Sequence, residues 1–270
     1  ITGVKAKVEN DAAGPTLALL GELDSLAIHD HPHADTTTGA AHACGHNAQI
    51  AGMLGAARGL VQSGVLSSLG GNLAFMAVPA EELIQVEYRL GLRDRGEIEF
   101  LTGKAEMIRL GHFDDVDMAM MCHTKNGTKA SNVANSSNGA VIKKIRFIGR
   151  AAHAGSQPQK GINALNAANL AMTAIALQRE TFYDDDTIRV HPIITKGGDA
   201  VSAVPSEVTM ETFVRGRTIE GIVDANRKVD RALRGAAMAI GAEVEIETTP
   251  GYLPQNNDPR MSALWGENVG

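Results

Sequence analysis

His42-Ala43-Cys44-Gly45-His46-Asn47 places a thiol and two imidazoles within five residues. It stands between a strand-like segment, Leu17-Ala18-Leu19-Leu20-Gly21-Glu22-Leu23-Asp24, and an apolar helical run that starts at Ala48. Cys44 and His46 are too close in sequence to be neighbours on one helix face, but at a strand-to-helix junction both side chains can turn toward one point. A thiolate and a neutral imidazole are ligands suited to zinc and similar divalent ions. Taken alone, the same stretch also reads as a buried cysteine beside two polar loop histidines.

The bulk numbers narrow the field. With 270 residues and 44% hydrophobic composition, the chain can bury a sizeable core and is expected to form two domains. Aromatics are only 4%, while Ala and Gly are abundant, as in close-packed α/β proteins. Lys and Arg total 25 against 31 Asp and Glu, a formal charge of -6 that argues against nucleic-acid or anionic-membrane partners. No apolar run approaches the roughly 20 residues that span a bilayer, and nothing resembles a signal peptide. Cys44 and Cys122 do not make a disulfide framework, so a reducing, cytoplasmic setting is expected. The chain opens inside what reads as a strand (4–8) and closes on a helix start at Met261, so it is expected to be part of a longer protein.

Outward from the motif, Asp24 sits at the carboxyl end of the first strand, where open α/β sheets bind ligands. His29, His31 and His33 alternate in the preceding loop, as a metal cluster or, as their polar neighbours favour, a solvated loop. Apolar residues at helical spacing (Ile50, Met53, Leu54, Ala57, Leu60, Val61) predict a helix over 47–65. Residues 71–78 read as a buried parallel strand ending in Pro79-Ala80-Glu81-Glu82. Adjacent carboxylates there are costly unless a metal ion receives one and a water beside it the other. The alternative is a first helical turn, where the macrodipole favours Glu. A polar segment follows, helical over 103–110, and then a strand over 116–122 with His123 at its end. Three strand ends thus carry ligand-type groups.

Residues 134–139, rich in Ser, Asn and Gly, read as a linker. Beyond it the predicted order is strand (140–149), helix (163–178), strand (188–195), strand (207–215), helix (219–240) and strand (243–248). That is βαββαβ, the split pattern of a ferredoxin-like sandwich. The second helix carries Ile222, Val223, Ala225, Val229, Leu233, Ala236 and Ala237 on its inner face, with Arg227, Lys228 and Arg231 outward.

HACGHN, then VPAEE, then a strand ending in His, then GRAAHAGSQPQKGINALNAA together resemble the metal-dependent amidohydrolases of the aminoacylase and carboxypeptidase type, peptidase family M20. The branch most like it contains hippurate, indole-acetyl-amino-acid and aminobenzoyl-glutamate hydrolases. The resemblance implies a metallopeptidase-type α/β catalytic domain (1–136) with an inserted ferredoxin-like dimerisation or lid domain (137–250). Residues 251–270 would begin the return to the catalytic domain. It implies that Cys44, His46, Glu82 and His123 ligate two divalent ions, zinc or manganese with cobalt possible, the Cys44 thiolate bridging them. Glu81 would be the general base, and Asp24 a carboxylate that holds a ligand in orientation. His153 would stabilise the oxyanion in the active site of the partner subunit of a homodimer. The implied substrate is a small N-acyl or N-aroyl amino acid, or a dipeptide.

Departures from the family pattern are specific. Asn47 stands where Asp is usual, Glu22 stands two positions before Asp24 where Asp is usual, and Ser202 occupies an Asn position. The interval from Glu82 to His123 is long, consistent with an insertion around 90–104. The family's last ligand is a C-terminal His, and no His follows His191. This chain is therefore expected to bind metal weakly or not at all, even if folded. Three functions remain open: an amidohydrolase of acyl-amino acids, a dipeptidase or carboxypeptidase with the same ligands, and a catalytically impaired dimeric scaffold.

Overall fold

The apolar runs on either side of the cysteine motif form the centre of a four-stranded sheet. The computed structural model describes residues 2–8, 10, 13–125, 133 and 136–269, and the chain divides into two units, Ile1–Thr128 and Lys129–Gly270. The first unit runs β1 (Val4–Val8), β2 (Thr16–Glu22), a short pair β3 (Leu26–Ala27) and β4 (Ala40–Ala41), then α1 (His46–Gln62) and β5 (Asn72–Val78). It continues through α2 (Val86–Asp94), α3 (Gly103–Arg109) and β6 (Met118–Met121). Sheet order is β1-β5-β2-β6; β2 is parallel to β5 and β6, and β1 antiparallel to β5.

Strand alternation decides the layering. Leu17, Leu19, Leu73, Phe75 and Ala77 face Ile50, Met53 and Ala57 of α1. Ala18, Leu20, Ala74, Met76 and Val78 face the opposite way, onto Met107 of α3 with Phe113 and Val116. A sheet buried on both faces needs no polar alternation, which is why β5 reads as an uninterrupted apolar run. Because β2, β5 and β6 are parallel, the residues that follow them emerge at one edge of the sheet. The loop holding His29, His31 and His33 is closed by the β3–β4 pair and a turn on Asp35, whose Oδ1 accepts from the Thr37 and Thr38 amides.

The polar segment after Glu82 contains α2, which overlaps the start of the insertion expected around 90–104 and which sequence periodicity missed. Only Val86 and Leu90 of that helix are buried, too few for a legible stripe.

The second unit runs β7 (Ser136–Ser137), β8 (Gly139–Ile148), α4 (Ala164–Leu177), β9 (Arg189–Val190), β10 (Ile193–Lys196) and β11 (Glu207–Gly216), followed by α5 (Ile219–Ile240), β12 (Glu243–Tyr252), β13 (Gln255–Asn256) and α6 (Pro259–Val269). Its main sheet is antiparallel with order β10-β11-β8-β12, β9 also pairing with β11. The βαββαβ order is therefore present. Three details differ from the sequence reading. The strand expected over 188–195 is divided at His191-Pro192, since proline has no N–H to give the ladder. Val223 is 42% exposed, one residue off the buried stripe of Ile222, Ala225, Val229, Leu233, Ala236 and Ala237. In the expected linker, Ala134 and Asn135 lie outside the described residues, while Ser136 and Ser137 pair with β13.

The helices α4 and α5 are capped as their sequences dictate. Asn163 accepts from the Leu165 and Asn166 amides at 2.9 and 3.1 Å, and Thr218 from the Gly221 amide at 3.0 Å. Gly241 ends α5 in the left-handed region, φ 78°. Ile145, Phe147, Val208, Met210 and Val214 of the sheet pack beneath Ala167, Ala171, Val229 and Leu233 of the helices. Small alanines on the inner faces let helices and sheet approach closely.

Candidate metal centre

Three segments meet beyond the carboxyl edge of the first unit's sheet. Gly45, at φ 106°, turns the chain between Cys44 and the start of α1. A Cβ at Gly45 would lie 1.8 Å from Thr124 Oγ1, so only glycine lets the segment after β6 come this close. Thr124 Oγ1 donates to the Cys44 carbonyl at 3.1 Å and ties the two segments together. As a result, Cys44 Sγ lies 3.4 Å from His123 Nε2.

The two imidazoles are held the same way. His46 Nδ1 donates to the Asp24 carbonyl at 2.9 Å, and His123 Nδ1 to the Thr124 carbonyl at 2.7 Å. A carbonyl can only accept, so in each neutral ring the proton sits on Nδ1 and Nε2 carries the lone pair. This is how proteins orient metal-binding histidines. His46 is 1% exposed, and its Nε2 has no hydrogen-bond partner, nor has the buried Asp24 Oδ1. One donor atom each from Cys44, His46 and His123 lies within 4.8 Å of the others, and the same holds for Glu22, His46 and Glu81.

A divalent ion fits these donors. Ligands at roughly 2.3 Å (sulfur) and 2.05 Å (nitrogen) about a tetrahedral ion stand roughly 3.6 Å apart, close to the 3.4 Å between Cys44 and His123. The orphaned Nε2 of His46 is a further reason for a cation here, since a buried lone pair without a partner is costly.

The carboxylates surround these donors. Ala80, at φ 54°, bends the chain after β5, and the Glu82 amide donates to Asp24 Oδ2 at 2.9 Å. Glu81 Oε2 stands 3.9 Å from His46 Nε2. Burial raises the Glu81 pKa, reinforced by Glu22, Glu82 and Asp24 and opposed by Lys104. Burial also pushes the Cys44 thiol up to about 12, helped by its hydrogen bond to Glu82 and by the charges of Glu82, Glu81 and Glu22. So dense an acidic environment favours a thiolate only when a cation offsets it.

The first unit therefore brings Cys44, His46, His123, Asp24, Glu81 and Glu82 into one neighbourhood. His153 lies in the second unit, where its Nδ1 accepts from the Gly155 and Ser156 amides, both at 3.1 Å. In the neutral ring this leaves Nε2–H as a donor. His29, His31 and His33 do not enter the metal-capable groups among the described residues.

Sequence reasoning gave no role to Glu22, Gln49 or Lys104. Glu22 is 1% exposed; Gln49 Nε2 donates to its Oε2 at 2.8 Å, and Lys104 pairs with its Oε1. The available signals were a charged residue closing an apolar strand and the His46–Gln49 spacing of one helical turn.

Comparison with known proteins adds four observations. Residues 135–238 match the family model described as a peptidase dimerisation domain. The chain is 34% identical to an indole-3-acetyl-aspartic acid hydrolase of Enterobacter agglomerans over 91% of this chain and 54% of that protein. It is 29% identical to a mouse Xaa-Arg dipeptidase over 88% of this chain and 48% of that protein. It thus spans about half the length of these relatives. Among solved structures it is similar to a Bacillus subtilis protein described as a dinuclear metal binding peptidase from the M20 family. That match has a TM-score of 0.64 and 22% identity, covering 98% of this chain and 67% of that one.

Proposed function

Because the chain belongs to the M20 peptidase family, we propose that the protein is a metal-dependent amidohydrolase cleaving the amide bond of an N-acyl or N-aroyl amino acid. The observation that carries this reading is the paired tethering of His46 and His123 to backbone carbonyls, which leaves Nε2 of each ring as the ligand atom, that of His123 3.4 Å from Cys44 Sγ. Cys44, His46, Glu82 and His123 would hold two divalent ions, as the Bacillus subtilis relative's description suggests. The sulfur and nitrogen donors suit zinc, and mixed donor sets also accept manganese or cobalt.

When bound, the ions would polarise the scissile carbonyl and acidify the attacking water. Glu81 then acts as general base. Burial and the neighbouring carboxylates raise its pKa, which strengthens it as the group that takes a proton from the water and returns it to the leaving amine. Asp24 orients His46 through its backbone carbonyl and holds the Glu82 amide through its carboxylate. His153, with Nε2–H free to donate, would stabilise the tetrahedral oxyanion of the partner subunit's site in a homodimer formed through residues 137–250. Both thiols are free, which suits a cytoplasmic setting.

A dipeptidase activity is the second reading, favoured by the Xaa-Arg dipeptidase relative. Assay of indole-acetyl-aspartate beside an Xaa-Arg dipeptide separates the two. Glu81→Gln tests the mechanism: it is expected to lower kcat at least a thousandfold while metal content stays that of the unaltered protein. Activity that survives this change would remove Glu81 from the role of base.

A further inference from the structure

We propose that Glu22 is itself a ligand, giving an oxygen to the divalent ion that His46 Nε2 takes; this rests on the metal reading of the site. Glu22 Oε2 stands 3.0 Å from His46 Nε2, and both side chains are 1% exposed. With its proton on Nδ1, His46 presents a lone pair to a carboxylate oxygen in a nearly dry site. In that tautomer two electron-rich atoms face each other, and a divalent cation beside both offsets their repulsion. Ligand atoms at about 2.1 Å from one ion, and at right angles around it, stand about 3.0 Å apart.

Glu22 is also held in place. A Cβ on Gly21 would come within 2.9 Å of Ile50 Cδ1, so β2 and α1 pack closely beside Glu22. Gln49 Nε2 donates to Glu22 Oε2 at 2.8 Å and Gln49 Oε1 accepts from the Glu22 amide at 3.2 Å. Lys104 pairs with the other carboxylate oxygen. Oε2 therefore receives one hydrogen bond and keeps a lone pair for the ion. Glu81 completes the same metal-capable group, but as the base it must remain free to carry a proton, so the standing oxygen ligand is Glu22. A carboxylate ligand hardens the site and moves its preference toward manganese.

Calorimetric titration of the full-length protein with Mn²⁺ and with Zn²⁺ tests this, with folding of each variant checked by circular dichroism. Glu22→Gln is expected to weaken Mn²⁺ binding at least tenfold and Zn²⁺ binding less. Lys104→Met is expected to bind Mn²⁺ as tightly as the unaltered protein or more tightly, because the ion becomes the main cationic partner of Glu22. Unchanged Mn²⁺ affinity in Glu22→Gln overturns the proposal. So does a loss in Lys104→Met equal to that in Glu22→Gln, which would make Glu22 only an ion-pair partner or a support for His46. Should Glu22→Gln fail to fold, Glu22→Asp keeps the charge and shortens the reach, and undiminished Mn²⁺ binding in that variant also overturns the proposal. If the unaltered protein binds neither ion, the metal reading itself fails, and Glu22 with it.

Discussion

At the residue scale, the site depends on a few backbone conformations as much as on its ligands. Gly45→Ala adds a methyl group at φ 106° that meets Thr124. It is expected to cost about 1–3 kcal/mol in chemical denaturation and to weaken metal binding at least tenfold by parting Cys44 from His123. Thr124→Ala would relieve the contact but not the dihedral, so the double variant should recover only part of the loss. The ligand types were legible in the sequence because thiol, imidazole and paired carboxylates recur at strand ends. Their orientation was not. The groups that fix the two imidazoles are the carbonyls of Asp24 and Thr124, and a backbone atom leaves no trace in residue identity. Glu22 shows the same limit: in sequence it is a departure from a pattern, and in space it is a buried carboxylate facing His46.

At the element scale, α3 is held by a charge. Glu106 is 5% exposed, and its pKa is lowered to about 2, chiefly by the Arg109 hydrogen bond and also by the Phe100 and Glu99 amides. A carboxylate whose pKa is depressed in the fold stabilises it fully above its ordinary 4.5 and loses that contribution as the pH falls toward about 2. The stability difference between the unaltered protein and Glu106→Gln, measured by urea titration from pH 7 to 2, is therefore expected to be about 1.5–3 kcal/mol at neutral pH. It should shrink steadily below pH 4.5. A difference that is constant with pH would mean that the charge of Glu106 has no such role. The strands and longer helices were legible from periodicity because each has a face to bury. The 22 residues of α5 kept their stripe from Ile222 to Ala237. Helix α2 buries only Val86 and Leu90 and so gave no signal. The division of β9 from β10 at Pro192 could have been read from proline's missing donor.

At the scale of the whole molecule, each unit has its own core, and the second draws its buried cluster entirely from residues between Ile145 and Ala237. The α/β class and the βαββαβ order followed from element sequence alone, since few topologies satisfy those connections. Strand order in the first sheet, and the closeness of Cys44 to His123 across it, required coordinates. If residues 137–250 form the dimer interface, sedimentation should give twice the monomer mass at micromolar concentration, and a monomer would remove His153 from the partner's site. The account as a whole stands on Cys44 being a metal ligand, and cobalt titration of the full-length protein followed in the near-ultraviolet reads that bond directly. A thiolate-to-cobalt charge-transfer band is expected to grow with added Co²⁺, to persist in Cys122→Ser and to vanish in Cys44→Ser. No band at saturating cobalt, or one that disappears with Cys122 instead, would contradict the metal centre.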